Sequence, residues 1–237
     1  HATDPKAMMC RFHTQTAGST LQAQQIDNNV VRTTLQATAA VLGGTQSLHT
    51  NSRDEALALP TEKSAQLALR TQQVMAFESG IPNVADPLAG SFYVESLTDD
   101  LEKYALALID KIDELGGAVL AIENEFQQNE IAQSAFDYQK AIDQGEKIIV
   151  GVNKFKTKEA DIPETQGIDE QAVQKQLIRL QQVKDNRNNH DIEIALKVLK
   201  DTASNHSNLI PVIIEAVKKN ATLGEISDTL RTVFGEY

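Results

Sequence analysis

Cysteine is nearly absent. Cys10 is the one thiol in 237 residues, so an internal disulfide is excluded. Long hydrophobic runs are missing too: no apolar stretch approaches the roughly 20 residues that cross a bilayer. His1 to Lys6 lacks the basic and apolar regions of a secretory leader. A soluble cytoplasmic protein with no membrane contact is expected. The first residue is not methionine, which suggests sequence upstream. Basic residues are in deficit, 22 against 33 acidic ones for a net charge of -11, a balance that repels a phosphate backbone. Nucleic acid is therefore not an expected partner, and any anionic ligand must be met by local donors. No glycine-rich phosphate loop follows a strand; the pairs Gly43-Gly44 and Gly116-Gly117 read as helix stops. A zinc site needs closer ligand spacing and more cysteine. His190 and His206 lie in polar, Asn-rich stretches that suit capping or plain exposure.

What is present is a composition that can fold, 41% hydrophobic, well above that of disordered segments. The chain is long enough for one large domain or two smaller ones. Arg11 to Gly18 reads as a short strand entering a loop. From Asn28 to Leu42, Val30, Val31, Leu35, Ala39 and Leu42 recur at helical spacing. Thr45 to Asn51 is a second short strand, so strand, helix and strand make a βαβ unit. A helix follows from Thr61 to Ser79, with Thr61 as cap, Leu67, Ala68, Val74 and Met75 on its inner face, and Gly80-Ile81-Pro82 as its end. Further helices are expected at Asp99 to Leu115, with Leu101, Leu108, Ile109 and Ile112 inward, at Ala118 to Glu123 and at Asn129 to Gln144. Lys147 to Asn153, β-branched and apolar, reads as a buried strand closing this unit. The composition then turns to Lys, Glu, Thr, Asp and Pro. The expected organisation is a unit over 1–155, a linker over 156–168 and a helical tail over 169–237, with helices at Asp169 to Lys184, Asp191 to Ser204, Asn208 to Asn220 and Leu223 to Phe234.

The two strands are chemically odd. Strands of a parallel sheet are normally Val, Ile and Leu because both faces are covered. Here they carry His13, Thr14, Gln15, Thr16, Gln46, Ser47, His49, Thr50 and Asn51. Burying such groups without partners costs roughly 1–3 kcal/mol each, so nine of them require water, a polar ligand along the sheet, or a mutual hydrogen-bond network. Both strands end in small residues, Ala17-Gly18-Ser19 and Asn51-Ser52, which lets a large ligand approach the backbone at the carboxyl ends. From the residues alone, a polar ligand site and a self-satisfied network both remain open. Glu55 reads equally as a solvated acid in the run Arg53-Asp54-Glu55, Gln15 as a strand-end amide bonded to backbone, and His49 as structural.

The runs Arg11-Phe12-His13-Thr14-Gln15-Thr16-Ala17-Gly18 and Gly43-Gly44-Thr45-Gln46-Ser47-Leu48-His49-Thr50-Asn51, followed by Asp54-Glu55-Ala56-Leu57-Ala58-Leu59-Pro60, closely resemble the coenzyme-B12-dependent acyl-CoA mutases of the methylmalonyl-CoA and isobutyryl-CoA type. Asn28-Asn29-Val30-Val31-Arg32, Glu78-Ser79-Gly80-Ile81-Pro82, Asp86-Pro87-Leu88-Ala89-Gly90-Ser91 and Val150-Gly151-Val152-Asn153-Lys154 fit in order. The match is dense from His1 to about Phe155 and looser in the tail. It implies an α/β fold: the helix-rich C-terminal portion of a TIM (β/α)8 barrel, its last two βα units, followed by a helical tail. It also implies that His13, Gln46 and Ser47 lie along the coenzyme A chain, that Gln15 and Gly18 face the corrin of adenosylcobalamin, and that Asn51 and Glu55 reach the adenosyl ribose. No residue here is implied as a catalytic acid, base or nucleophile, and no metal ligand is implied. Cys10 stands where the family has an apolar residue and is expected to fill core space.

By the same resemblance six barrel strands are missing, with the residues that read the acyl group, as is the Asp-x-His-x-x-Gly segment that supplies cobalamin's lower axial ligand. The expected function is therefore that of a component of an adenosylcobalamin-dependent acyl-CoA mutase, a radical isomerase acting on methylmalonyl-CoA and succinyl-CoA. It would be inactive as an isolated chain. Its expected partners are an acyl-CoA substrate, a cobalamin-binding subunit that brings the cofactor, and the N-terminal half of the barrel or a second copy of itself. The helical tail is expected to pack on the barrel remnant or to dock the cobalamin subunit. The alternative is a non-catalytic interaction or vestigial fragment.

Overall fold

The computed structural model describes residues 2–158, 165–205 and 207–236. His206 and the middle of the expected linker, 159–164, lie outside the described residues. The chain divides into two compact units between Gly167 and Ile168.

The first unit runs β1 (His13–Gln15), α1 (Asn28–Leu42), β2 (Ser47–His49), α2 (Glu62–Glu78), α3 (Phe92–Glu114), α4 (Ala118–Glu123) and α5 (Phe126–Asp143). β1 and β2 pair in parallel, with His13 opposite Ser47, Thr14 opposite Leu48 and Gln15 opposite His49. Because the connection is α1, the arrangement is a βαβ unit, and the chain is a helix-rich α/β protein with a short parallel sheet. α1 stops at Gly43, and Gly44 takes the left-handed conformation, φ +81°, that glycine adopts without strain. α2 starts where the Thr61 hydroxyl accepts the Ser64 N–H at 3.2 Å.

The apolar side chains are less buried than their spacing suggests. α1 turns Asn29, Thr33 and Ala37 inward and leaves Val31 and Leu35 60% and 67% exposed. The inward face lies beneath the polar loops that follow both strands, and Asn29 hydrogen-bonds both of them. On α2 only Met75 of the expected apolar face is fully buried, while Leu67 and Val74 are exposed. α3 begins at Phe92, seven residues before Asp99, since the Glu95 carboxylate accepts the Gly90 N–H at 3.0 Å and fixes the first turn. Its Leu101, Leu108 and Ile109 are exposed and Ile112 half-buried, for among the described residues α3 packs mainly on the six-residue α4.

Two further expectations fail. Lys147 to Asn153 is not a buried strand: Gly151 turns the chain at φ +84°, its N–H bonds the Lys154 carbonyl at 2.8 Å, and Ile148 and Val150 are exposed. Asn153 stabilises the turn, accepting the Ile149 N–H at 2.7 Å and donating to the carbonyls of Ile142 and Lys147. Cys10 does not fill core space either. It is exposed, in a segment, 2–12, that forms turns and no regular element to pack over it.

The second unit contains α6 (Glu170–Asn186), α7 (Asn189–Ser204), α8 (Ile210–Lys218) and α9 (Leu223–Phe234). α7 packs against both α8 and α9, burying Ala195, Leu199, Ala216 and Ile226, with Leu196, Val212, Ile213 and Leu230 around them. Asn188 caps α7, accepting the N–H of His190 at 3.1 Å, and the His190 ring itself is solvent-exposed. A reciprocal capping box of Thr222 and Glu225 starts α9.

Candidate functional site at the carboxyl ends of two strands

Strand alternation puts His13 and Gln15 of β1 and Ser47 and His49 of β2 on one face of the sheet, and all four are exposed. The opposite face carries Thr14 and Leu48, half-buried; Leu48 lines a pocket together with Val41 of α1 and Leu69 and Met75 of α2. The pleat thus sorts His13, Gln15, Ser47 and His49 onto an open surface, while the buried Thr16, Thr50 and Asn51 are hydrogen-bonded, so the cost of burying these polar groups unpaired does not arise.

At the amino end of this face, the His13 ring nitrogen Nδ1 and the Ser47 hydroxyl are 2.6 Å apart, which leaves Nε2 of the ring open. Gln46 is engaged by backbone: its Oε1 accepts the Phe12 N–H at 2.7 Å and its Nε2 donates to the Gly44 carbonyl at 2.7 Å. It holds the entry of β2 against β1. The three residues expected along coenzyme A, His13, Gln46 and Ser47, are therefore brought together, with His13 and Ser47 presenting the accessible polar groups.

At the carboxyl end the Asn51 side chain is the organising group. It is buried, and oriented to satisfy both its ends it accepts the Gly18 N–H at 3.2 Å and donates to the Thr16 hydroxyl at 3.2 Å and carbonyl at 3.3 Å. The Thr16 hydroxyl in turn accepts the Asn51 N–H at 2.9 Å, and the Gln15 amide lies 3.3 Å from the Asn51 side chain. Gly18 is packed so closely that a Cβ there would meet the end of the Asn51 amide at 2.8 Å and Glu55 Oε1 at 3.4 Å. Gln15, Gly18, Asn51 and Glu55 thus converge, with the Glu55 carboxylate exposed at the edge. No helix starts at Glu55; α2 begins only at Glu62.

Asp54 shapes this loop. Only 2% exposed, its carboxylate accepts the Ser52 hydroxyl at 2.6 Å and the Thr61 N–H at 3.0 Å. Burial alone would raise its pKa, but hydrogen bonds from Ser52, Thr61 and Ser64 outweigh it and hold the group below the ordinary carboxylate value. Thr50 ties the end of β2 to α2, its hydroxyl donating to the Ala68 carbonyl at 2.8 Å and accepting from Gln72 Nε2 at 2.9 Å.

Two features escaped the sequence. His49, read there as structural, is exposed beside Gln15 and its ring has no hydrogen-bond partner among the described residues. Asp54 and Asn29 carry buried hydrogen-bond networks that no spacing announces, although a polar side chain inside an apolar helical repeat, as at Asn29, is a signal of a kind. No group of three His, Cys, Asp or Glu side chains is placed to hold a metal ion among the described residues, and no described helix is long and apolar enough to cross a membrane.

Comparison with known proteins adds a consistent result. The family model of methylmalonyl-CoA mutase matches residues 1–236. The chain is 45% identical over 237 residues to the methylmalonyl-CoA mutase of Escherichia coli K12, covering all of this chain and 33% of that protein. It is 42% identical to the 2-hydroxyisobutanoyl-CoA mutase large subunit of Aquincola tertiaricarbonis, covering 42% of it, and 44% identical to the mitochondrial methylmalonyl-CoA mutase of Homo sapiens, covering 31% of it. The chain therefore spans about a third of the length of most such relatives.

Proposed function

The chain belongs to the methylmalonyl-CoA mutase family, and on that premise we propose that it is the ligand-facing part of an adenosylcobalamin-dependent acyl-CoA mutase, isomerising a substrate of the methylmalonyl-CoA and succinyl-CoA kind once the rest of the barrel and a cobalamin-binding chain or domain are present. The observation that carries the reading is the open face of His13, Gln15, Ser47 and His49, which ends in the Gly18, Asn51 and Glu55 cradle. A slender polar chain such as pantetheine fits along such a face. His13 and Ser47 offer it hydrogen-bond donors and acceptors.

The residues at the carboxyl end fit a nucleoside. Glu55 is an exposed carboxylate with acceptor oxygens for a pair of ribose hydroxyls, and glycine at position 18 lets the Asn51 amide and the Glu55 carboxylate close on the loop backbone, where a Cβ would meet them at 2.8 and 3.4 Å. Adenosylcobalamin, when bound, supplies a carbon-centred radical. This chain's own part is to position the ribose through Glu55 and Asn51, to hold coenzyme A through His13 and Ser47, and to help exclude water, with no acid, base or nucleophile required of it. Gln15 and Gly18 form the wall toward the corrin.

The test is calorimetric titration of the chain with coenzyme A and, separately, with 5′-deoxyadenosine. Both are expected to bind, Ser47→Ala weakening the first and Glu55→Gln the second. Mixing with the complementary barrel segment and a cobalamin-binding chain is then expected to give methylmalonyl-CoA isomerisation. Binding of neither ligand, together with no turnover in the mixture, leaves the non-catalytic reading instead.

A further inference from the structure

We infer that Asn29, outside the ligand-facing surface, is the positioning residue that sets the two site loops against each other; the inference rests on the function proposed above. Its side chain on the first turn of α1 is 0% exposed and uses its full hydrogen-bonding capacity. Oδ1 accepts the Gln22 N–H at 3.0 Å and Arg32 Nη1 at 2.7 Å. Nδ2 donates to the Gln22 carbonyl at 2.8 Å and to the Arg53 carbonyl at 2.9 Å.

Those partners are the reason the geometry matters. Gln22 lies four residues after Gly18, and Arg53 lies between Asn51 and Glu55. One carboxamide thus clamps the loop after β1 by the backbone N–H and carbonyl of one residue, Gln22, and the loop after β2 by the Arg53 carbonyl. Asp27, two residues earlier, holds the same Arg53 through an ion pair to its guanidinium. Asp54, next in the chain, fixes the far side of that loop to Thr61. The spacing of Gly18 from Glu55 is then set from α1 in addition to the Asn51 bonds at the strand ends. Displacement of a positioned group by about 1 Å is enough to degrade a site whose own residues are untouched.

Asn29→Asp retains the size and the acceptor side of the amide and removes both donors. The clamp predicts a split: the affinity for 5′-deoxyadenosine, which the loops bind, falls about tenfold or more, while that for coenzyme A, which His13 and Ser47 bind, stays within about twofold. Asp27→Ala, at an exposed position that folding tolerates, is expected to move the same ligand in the same direction by less. Thr33→Ala is the control at another fully buried position of α1: its hydroxyl has no hydrogen-bond partner among the described residues, and trimming it is expected not to split the two affinities. Amide hydrogen exchange supplies the arm that needs no ligand, faster in Asn29→Asp at 18–24 and 52–57 and unchanged in β1 and β2. Equal weakening of both ligands, the same split from Thr33→Ala, or unaltered loop exchange overturns the inference. If the wild-type chain binds neither ligand, the proposed function is what fails, and the exchange result alone decides whether Asn29 holds the loops.

Discussion

Gly18 is the residue at which the smallest chemical change is expected to have the clearest effect. Its backbone is not in the left-handed region, so alanine brings no conformational strain; the added Cβ meets the Asn51 amide at 2.8 Å. Asn51 is buried and bonded on both sides and cannot yield without giving up hydrogen bonds to Thr16 and Gly18. Gly18→Ala is expected to cost about 1–3 kcal/mol, read by urea unfolding, and to abolish nucleoside binding while leaving coenzyme A binding in place. Asp54 gives a prediction in pH. Its carboxyl is held below the ordinary 3.8, so its stabilisation is fully present above that value and is lost as the pH falls through the lower folded-state value. Asp54→Ala should therefore destabilise by about 1–3 kcal/mol at neutral pH, with the gap to wild type closing in unfolding curves taken progressively below pH 3.8. At this scale the sequence was a good guide to chemistry and a poor one to hydrogen bonding. It singled out Gln15, Gly18, Asn51 and Glu55, which the fold does bring together. It gave no account of Asp54 or Asn29, whose roles depend on which loop carbonyls and N–H groups come within 3 Å, and it read His49 as structural because period-2 alternation does not say whether a face is covered.

Single elements were legible where their ends carry local chemistry. α1, α4 and α9 run over the residues expected for them: Gly43-Gly44 stops the first as its glycines suggest, while in the structure Gly117 precedes the second and Thr222 with Glu225 starts the third. Lys147 to Asn153 was misread because β-branched composition describes a side-chain surface and not a partner strand; with none to pair, the Asn153 amide and Gly151 fold it into a turn. α9 also provides a test of how one element is pinned. Arg187, before α7, forms a bidentate ion pair with Glu225 in the first turn of α9, and its Nη1 donates to the Asn220 carbonyl at 2.9 Å. The hydrogen bond from Arg187 is the main cause that holds the Glu225 pKa at about 2, from an ordinary 4.5. A depressed carboxyl stabilises above its unfolded value and ceases to do so as pH falls through the folded one. Arg187→Ala should lower the stability of the second unit by about 1.5–3 kcal/mol at pH 7, and the difference from wild type should shrink between pH 4.5 and about 2. Thermal unfolding followed by circular dichroism across that range reads it directly. A difference that stays constant down to pH 2 would show that Arg187 acts by packing alone.

At the scale of the whole molecule, the apolar surface that helical periodicity assigned to a core has no core to enter. α3 exposes Phe92 at 94%, Tyr104 at 68% and Leu101 at 62%, α1 exposes Val31 and Leu35, and both edges of the two-stranded sheet lack a neighbouring strand among the described residues. Apolar faces of this extent mark surfaces that meet other protein, and an unpaired sheet edge invites a further strand. The periodicity of α3 marks an apolar stripe, but that stripe is exposed among the described residues and not the buried face its spacing suggested. The consequence is measurable without any ligand. The chain alone is expected to self-associate, eluting above monomer size in a concentration-dependent way by size exclusion with light scattering, and to bind a hydrophobic dye. Leu101→Glu combined with Tyr104→Lys places charge on the exposed stripe of α3, where no described side chain has to be desolvated with it, so helix content by circular dichroism should be unchanged while the elution shifts toward the monomer. Adding the complementary barrel segment should do the same to the wild-type chain by covering those faces and edges. A wild-type chain that stays monomeric over a hundredfold range of concentration and ignores the dye would mean that α3 and the sheet edges are covered from within the chain.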